Sequence, residues 1–237
     1  MGEKFVLDRE ALLNRGCAVL LLGGEPPRSP RLKGLIRRAS FVAAADAGAA
    51  VGLEAGRLPE LLVGDFDSLP PELLERCRAG GSEVVRLPVH KDLTDGEFIL
   101  DWAAREAGPR GWRRLVVLGA LGGRLDQTLA NILCALSLAA AGLELCFAGE
   151  GELVLLLCAG EGAVQRLELR GFAGRTVSLL ALGGDARRVE LAGFSYPLAG
   201  PLALGVSLGV SNIAKGPRSE IALSGGRLLV SINDWQD

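Results

Sequence analysis

LLVGDFDSLPPELLERC, residues 61–77, decides the fold. Leu61-Leu62-Val63 is a short apolar run of the kind used by a strand buried on both faces. Gly64-Asp65-Phe66-Asp67-Ser68 reads as a tight turn. The residues beyond Ser68 read as a helix, with Pro70 and Pro71 in its first turn and Gly80-Gly81 past its end. Ser68 is expected to cap that helix. A buried strand, a turn and a helix in succession make half of a βαβ unit, the element that builds parallel sheet. With the cap supplied by Ser68, the carboxylates of Asp65 and Asp67 have no local duty, and two of them in one turn point to something positive held there.

The same grammar extends to both sides. CAVLLLGG (17–24) and SFVAAAD (40–46) read as strands, separated by a Pro-rich loop and a short basic helix at about 31–39, and AGAAVGLEAG comes next as a weak helix. SEVVRLP (82–88) and RRLVVLGA (113–120) are further strands. KDLTDGEFILDWAAREAG (91–108) begins a helix with the capping box Thr94-Asp95-Gly96-Glu97 and is expected to end it at Gly108-Pro109. LDQTLANILCALSLAAAG (125–142) reads as one long helix closed by Gly142, and LELCFAG completes the alternation. From Gly151 the texture changes to short β-rich runs: ELVLLLCAG, AVQRLELRG, RTVSLLALGG, ARRVELAG, LALGVSLGV, SEIALSGG and RLLVSIND. The expected architecture is therefore an N-terminal parallel-sheet α/β domain (1–150) followed by a C-terminal antiparallel β-sandwich domain (151–237).

Composition narrows the function. The 237 residues carry a formal net charge of −2 with no Lys/Arg-rich run, which argues against a nucleic-acid partner. Five scattered cysteines, an odd number with no CxxC, read as reduced thiols in a cytoplasmic protein. The single histidine, His90, leaves little material for a His-based zinc site or a Ser-His-Asp triad. The N-terminus lacks a signal-peptide pattern, and the apolar tract around 129–145 has helical periodicity broken by polar and small residues, so no membrane span is expected.

In an open parallel sheet the loops at the strand C-termini share one edge, where ligands bind. That edge should gather Asp46, Asp65, Asp67, Asp92, Asp95 and Asp126, with Lys91 and Arg124 beside them. Carboxylates so crowded repel one another, and an oxygen-seeking divalent cation removes the cost. Glycines in these loops, among them Gly48, Gly64, Gly119, Gly122 and Gly123, let backbone N–H groups approach phosphate oxygens, and helix N-termini add positive potential. The combination reads as a magnesium–nucleotide site, without the GxxxxGK[ST] of a P-loop or a GxGxxG. Tyr196, Ser211 and Asn212 read from the residues alone as turn positions in the β-rich part.

ADAGA (45–49), VGDFDSL (63–69), KDLTDGE (91–97), LGALGGRLDQTLANI (118–132), GFSYPL (193–198) and SN (211–212) resemble, in order, the motifs of the thiamine pyrophosphokinases (thiamin diphosphokinases). The resemblance implies an α/β catalytic domain, a thiamine-binding and dimerising β-sandwich, and a homodimer with active sites between subunits. It implies transfer of the pyrophosphoryl group of ATP to the thiamine hydroxyl, giving thiamine diphosphate and AMP. By motif it makes Asp65, Asp67 and Asp95 the Mg²⁺ ligands and Arg124 a catalytic cation. Gly23, Gly24, Asp46, Gly48, Lys91, Asp92, Gly123, Asp126 and Gln127 become nucleotide-site residues, and Tyr196, Ser211 and Asn212 the thiamine side. Gln127 stands where many members have His. The alternatives are a pyrophosphokinase for another alcohol, such as a hydroxymethylpterin, and a non-catalytic nucleotide or thiamine sensor.

Overall fold

The computed structural model describes residues 4–12, 17–89 and 92–236. In chain order the elements are β1 (Lys4–Asp8), β2 (Cys17–Leu21), α1 (Pro30–Arg38), β3 (Phe41–Ala45), α2 (Gly48–Glu54), β4 (Leu61–Gly64), α3 (Pro71–Ala79), β5 (Glu83–Arg86), α4 (Asp95–Arg110), β6 (Arg114–Leu118), α5 (Leu125–Cys134), α6 (Leu136–Ala140) and β7 (Glu144–Ala148). They continue with β8 (Glu152–Ala159), β9 (Gln165–Arg170), β10 (Thr176–Ala181), β11 (Ala186–Ala192), β12 (Ala199–Leu202), β13 (Asn212–Ile213), β14 (Arg218–Leu223) and β15 (Gly226–Asn233). Two compact units result: the described residues of Leu13–Leu138 with Leu145–Glu150, and those of Met1–Leu12, Ala139–Glu144 and Gly151–Asp237. Among the described residues no helix is long and apolar enough to cross a membrane.

In the α/β unit the strand order is β7-β6-β2-β3-β4-β5, and every pair from β6 to β5 is parallel. The central strands are buried along their whole length (β2, β4 and β6 at every position), as apolar runs covered on both faces must be. The chain steps outward from β2 to β5, then returns to lay β6 on the other side of β2. With right-handed crossovers this reversal puts α4 on the face opposite α1, α2 and α3, and creates a switch point between the ends of β2 and β6.

The second unit holds two sheets. One has the order β1-β9-β14-β11-β12, antiparallel except for the parallel β1–β9 pair; the other is the antiparallel set β8-β15-β10-β13. β14 faces β8 and β15, and β11 faces β15, so the sheets enclose a core of Leu167, Val189, Ile221, Leu228, Val230 and Ile232, all fully buried.

Several expectations are corrected. Residues 4–8, assigned by sequence to the first domain, form β1 and pair with β9 in the second unit, from Lys4 opposite Arg166 to Asp8 opposite Arg170. Ser68 does not cap α3: Pro70 is the N-cap, with no side-chain cap bond, and the Ser68 hydroxyl goes elsewhere. Helix α4 passes through Pro109 and stops at Gly111, whose left-handed φ of 70° closes it. The long helix of 125–142 is broken after Cys134, where the Ser137 hydroxyl donates to the Cys134 carbonyl at 3.1 Å and competes with the helical ladder. LALGVSLGV yields only the end of β12. Gly209 instead lies against the Leu179 backbone, accepting from its N–H at 2.9 Å, and leaves Leu204, Val206, Leu208 and Val210 exposed.

Candidate active site at the switch point

Three loops build the acidic end of the site. β3 delivers Asp46, whose N–H donates to the Val63 carbonyl at 2.8 Å and whose φ is 46°. β4 ends at Gly64, where a Cβ would press on the Asp46 backbone, and the chain then turns through Asp65, Phe66 (φ 64°) and Asp67. Left-handed backbone at Asp46 and Phe66 costs energy, and strain of this sort gathers at sites where geometry matters more than stability. Arg86, at the end of β5, fixes the turn by donating to the Asp65 carbonyl at 2.8 Å while its guanidinium lies 5.1 Å from the centroid of the Phe66 ring.

Carboxylate oxygens of Asp46, Asp65 and Asp67 all come within 4.8 Å of one another. Asp46 is the most constrained. One oxygen accepts from the Ser68 hydroxyl; the other, Oδ1, is buried with no hydrogen-bond partner among the described residues. Burial raises its pKa first, the Ser68 bond opposes that, and the charges of Asp67, Asp65 and Asp95 raise it further. A buried anionic oxygen without a partner, amid two more carboxylates, fits a divalent cation such as Mg²⁺. Asp95, predicted as a ligand, opens α4 behind the cap Thr94, whose side chain accepts from Glu97 N at 3.0 Å. It acts on Asp46 through charge but stands outside the triplet, in which Asp46 takes its place.

The opposite wall comes from the switch point. Leu22 N donates to Leu118 O at 2.8 Å and Gly24 N to Gly119 O at 3.0 Å, fastening the loop after β2 to the loop after β6. A Cβ on Gly24 would collide with the Gly119 carbonyl, so glycine is required for this close approach. Between the walls lies a cleft of ≈ 890 Å³, lined among others by Gly23, Gly24, Asp46, Ser68, Asp95, Gly123, Arg124, Asp126 and Gln127. Arg124 and Asp126 form a two-bond pair at 3.1 and 2.6 Å, which holds the guanidinium in place and lowers the carboxyl pKa. Gly48 is not in the wall: a Cβ there would strike the Leu21 carbonyl, so it serves the packing of α2 on β2. Asp92 is exposed and outside the wall, and Lys91 and His90 lie outside the described residues.

Sequence reasoning missed Glu25, Arg28 and Asn131, all lining the cleft. The β2 strand ending pointed to Glu25 and Arg28; Asn131, two turns into α5, lies within the motif of 118–132 but was not singled out in it.

In the second unit the side chain of Asn212 is buried and clamps the Tyr196 peptide. Tyr196 N donates to Oδ1 at 3.0 Å and Nδ2 donates to Tyr196 O at 2.6 Å. The Tyr196 side chain is thereby carried outward, with the residue 66% exposed. Ser211, at φ 60°, donates its N–H to Ser178 Oγ at 3.0 Å. Asn212 is a positioning residue here, and Tyr196 is the group it presents.

An acid-lined cleft at the switch point of a parallel sheet, in a chain that also carries antiparallel sheets, defines a two-unit α/β protein with a ligand-binding edge. The family described as thiamin pyrophosphokinase, catalytic domain, matches residues 32–147, and that described as thiamin pyrophosphokinase, vitamin B1 binding domain, matches residues 164–228. The chain is 25% identical over 212 residues to the thiamine pyrophosphokinase of Bacillus subtilis, covering 89% of this chain and 95% of that one. In fold it is similar to the crystal structure of thiamine pyrophosphokinase from Bacillus subtilis (TM-score 0.79, 24% identity, 92% and 98% of the two chains). It is likewise similar to that of thiamin pyrophosphokinase from Geobacillus thermodenitrificans (TM-score 0.75, 26% identity, 92% and 97%). The chain belongs to the thiamin pyrophosphokinase family.

Proposed function

We propose that this protein is a thiamine diphosphokinase. It moves the pyrophosphoryl group of ATP to the hydroxyl of thiamine. The hydroxyl oxygen bonds to the β-phosphorus, the bond between that phosphorus and the α,β-bridging oxygen breaks, AMP leaves, and the hydroxyl proton is released. The observation that carries this reading is the triplet Asp46, Asp65 and Asp67, together with the buried, unpartnered Oδ1 of Asp46.

Those three carboxylates, with Asp95 beside them, would hold Mg²⁺. When bound, the ion supplies charge neutralisation to the polyphosphate. The rest falls to the chain. Gly23, Gly24 and Gly123 let the backbone close on the nucleotide, Arg124 presents a guanidinium pre-oriented by Asp126, and Gln127 offers a neutral hydrogen bond in the same wall. Lys91 adds a second cation by motif. Transfer of this kind needs positioning and charge more than a strong base.

Thiamine is received by Tyr196, held out by Asn212 beside Ser211. The subunits pair as a homodimer with active sites between them, in the cytoplasm. Exposed Leu125, Leu129 and Leu133 on α5, and exposed Leu204, Val206, Leu208 and Val210 in the second unit, support a partner surface.

The test is direct. Purified protein with ATP, Mg²⁺ and thiamine should yield AMP and thiamine diphosphate in equal amounts. Nucleotide binding without AMP would make the protein a sensor. AMP formed only with another alcohol, such as a hydroxymethylpterin, would keep the transfer and replace the acceptor.

A further inference from the structure

Glu25 stands in the cleft wall without a role in the chemistry above. It comes after the two glycines that follow β2 and precedes Pro26, which confines its backbone to extended conformations. The loop is anchored on both sides. Gly24 N is bonded to Gly119 O at 3.0 Å. Further on, Arg28 N and Ser29 N both donate to the Glu150 carboxylate, and Ser29 caps α1 by accepting from Leu32 N at 3.3 Å. The Glu25 carboxylate lies over Gly122 so closely that a Cβ at that glycine would run into Oε2. Among the described residues it makes no ion pair and no hydrogen bond.

A carboxylate is an acceptor only. Set in a polyphosphate cleft with no cation of its own, it cannot face the phosphates; it must face hydrogen-bond donors of the ligand. The acidic triplet fixes the polyphosphate near the ends of β3 and β4, while Glu25 belongs to the β2 and β6 loops, where the switch point receives the rest of a nucleotide. We infer that Glu25 reads the nucleoside of the ATP, accepting from its ribose hydroxyls or its exocyclic amine, and so sets which nucleoside triphosphate the cleft takes. This rests on the cleft being the ATP site. Anchoring at both ends fixes the backbone from which Glu25 projects before ligand arrives, which lowers the ordering cost of binding.

The test is binding, with turnover followed in parallel. AMP, 2′-deoxy-AMP and inosine monophosphate are titrated against the wild type, Glu25→Ala and Glu25→Gln, and thiamine against the first two. The wild type should bind AMP about tenfold or more tighter than at least one analogue, since a site built to accept from a donor rejects the ligand lacking it. Loss of the 2′-deoxy distinction in Glu25→Ala identifies the ribose as the donor, and loss of the inosine distinction identifies the amine. Glu25→Gln, which retains one acceptor oxygen, should keep part of the preference. The inference is overturned if Glu25→Ala keeps the wild-type preference, weakens every nucleotide alike, or weakens thiamine instead. Wild-type discrimination through Glu25 without product formation would overturn the proposed reaction and leave this inference standing.

Discussion

Asp46 is held by geometry that it opposes electrostatically. Its backbone is left-handed, one carboxylate oxygen is tied to Ser68, and the other is buried against the charges of Asp65 and Asp67. Removing one of those charges should therefore help the empty protein and harm the enzyme. Asp67→Asn is expected to raise the melting temperature measured without divalent cation, and to cut turnover with ATP, Mg²⁺ and thiamine by at least about a hundredfold. Near-normal turnover would take Asp67 out of the site. At the other end of the reaction, Asn212→Ala removes the clamp on Tyr196 and leaves its peptide groups unsatisfied, at a cost of about 1–3 kcal/mol. The KM for thiamine should rise roughly tenfold, a loss of about 1.4 kcal/mol, while the KM for ATP stays put; a shift in both would show that the clamp serves the fold alone.

At the scale of elements, each helix start has its own chemistry. The Thr94 side chain satisfies Glu97 N at the head of α4, in the turn that carries Asp95. Thr94→Ala should cost about 1 kcal/mol in a denaturant melt, with Thr94→Ser close to wild type; equal losses in both would point to the Thr94 methyl rather than the cap. The strands and helices of the α/β unit were legible because buried parallel strands write themselves as unbroken apolar runs and helices as caps and periodicity. Thr94 was readable for that reason. The features that escaped depended on contacts far along the chain. Ser68 has the chemistry of a cap and the right place for one, but Asp46, on another strand, takes its hydroxyl. The alternation of Leu204, Val206 and Leu208 mimics a strand whose partner never arrives. Of the acidic residues, Asp65 and Asp67 were legible as a pair in one turn, whereas the place of Asp46 in the triplet depended on the folding of β3 beside β4.

Across the whole molecule, the ion cluster on the β1-β9-β14 sheet contributes to acid stability. Glu168 accepts from Lys4 at 2.6 Å and from Arg170, and these two hold its pKa at about 2, against 4.5 unperturbed. A depressed carboxyl stabilises the folded state fully above its unfolded pKa and loses that contribution as pH falls toward the folded value. The wild type should therefore lose melting temperature between pH 4.5 and about 2, and Glu168→Gln should show a shallower loss across the same window. An unchanged slope would assign acid sensitivity to other groups.

The parallel pairing of β1 with β9 also sets a clock. Lys4 is synthesised ahead of the α/β unit, and Arg166, its partner in register, is made only after that whole unit. At ~5–20 residues per second the interval is on the order of ten seconds or more. Through that time Phe5 and Leu7, destined for the interior of the second unit, have no strand to lie beside. A segment translated before the α/β unit is thus among the last to find its place, and the nascent chain must carry an unsatisfied apolar stretch until β9 is made.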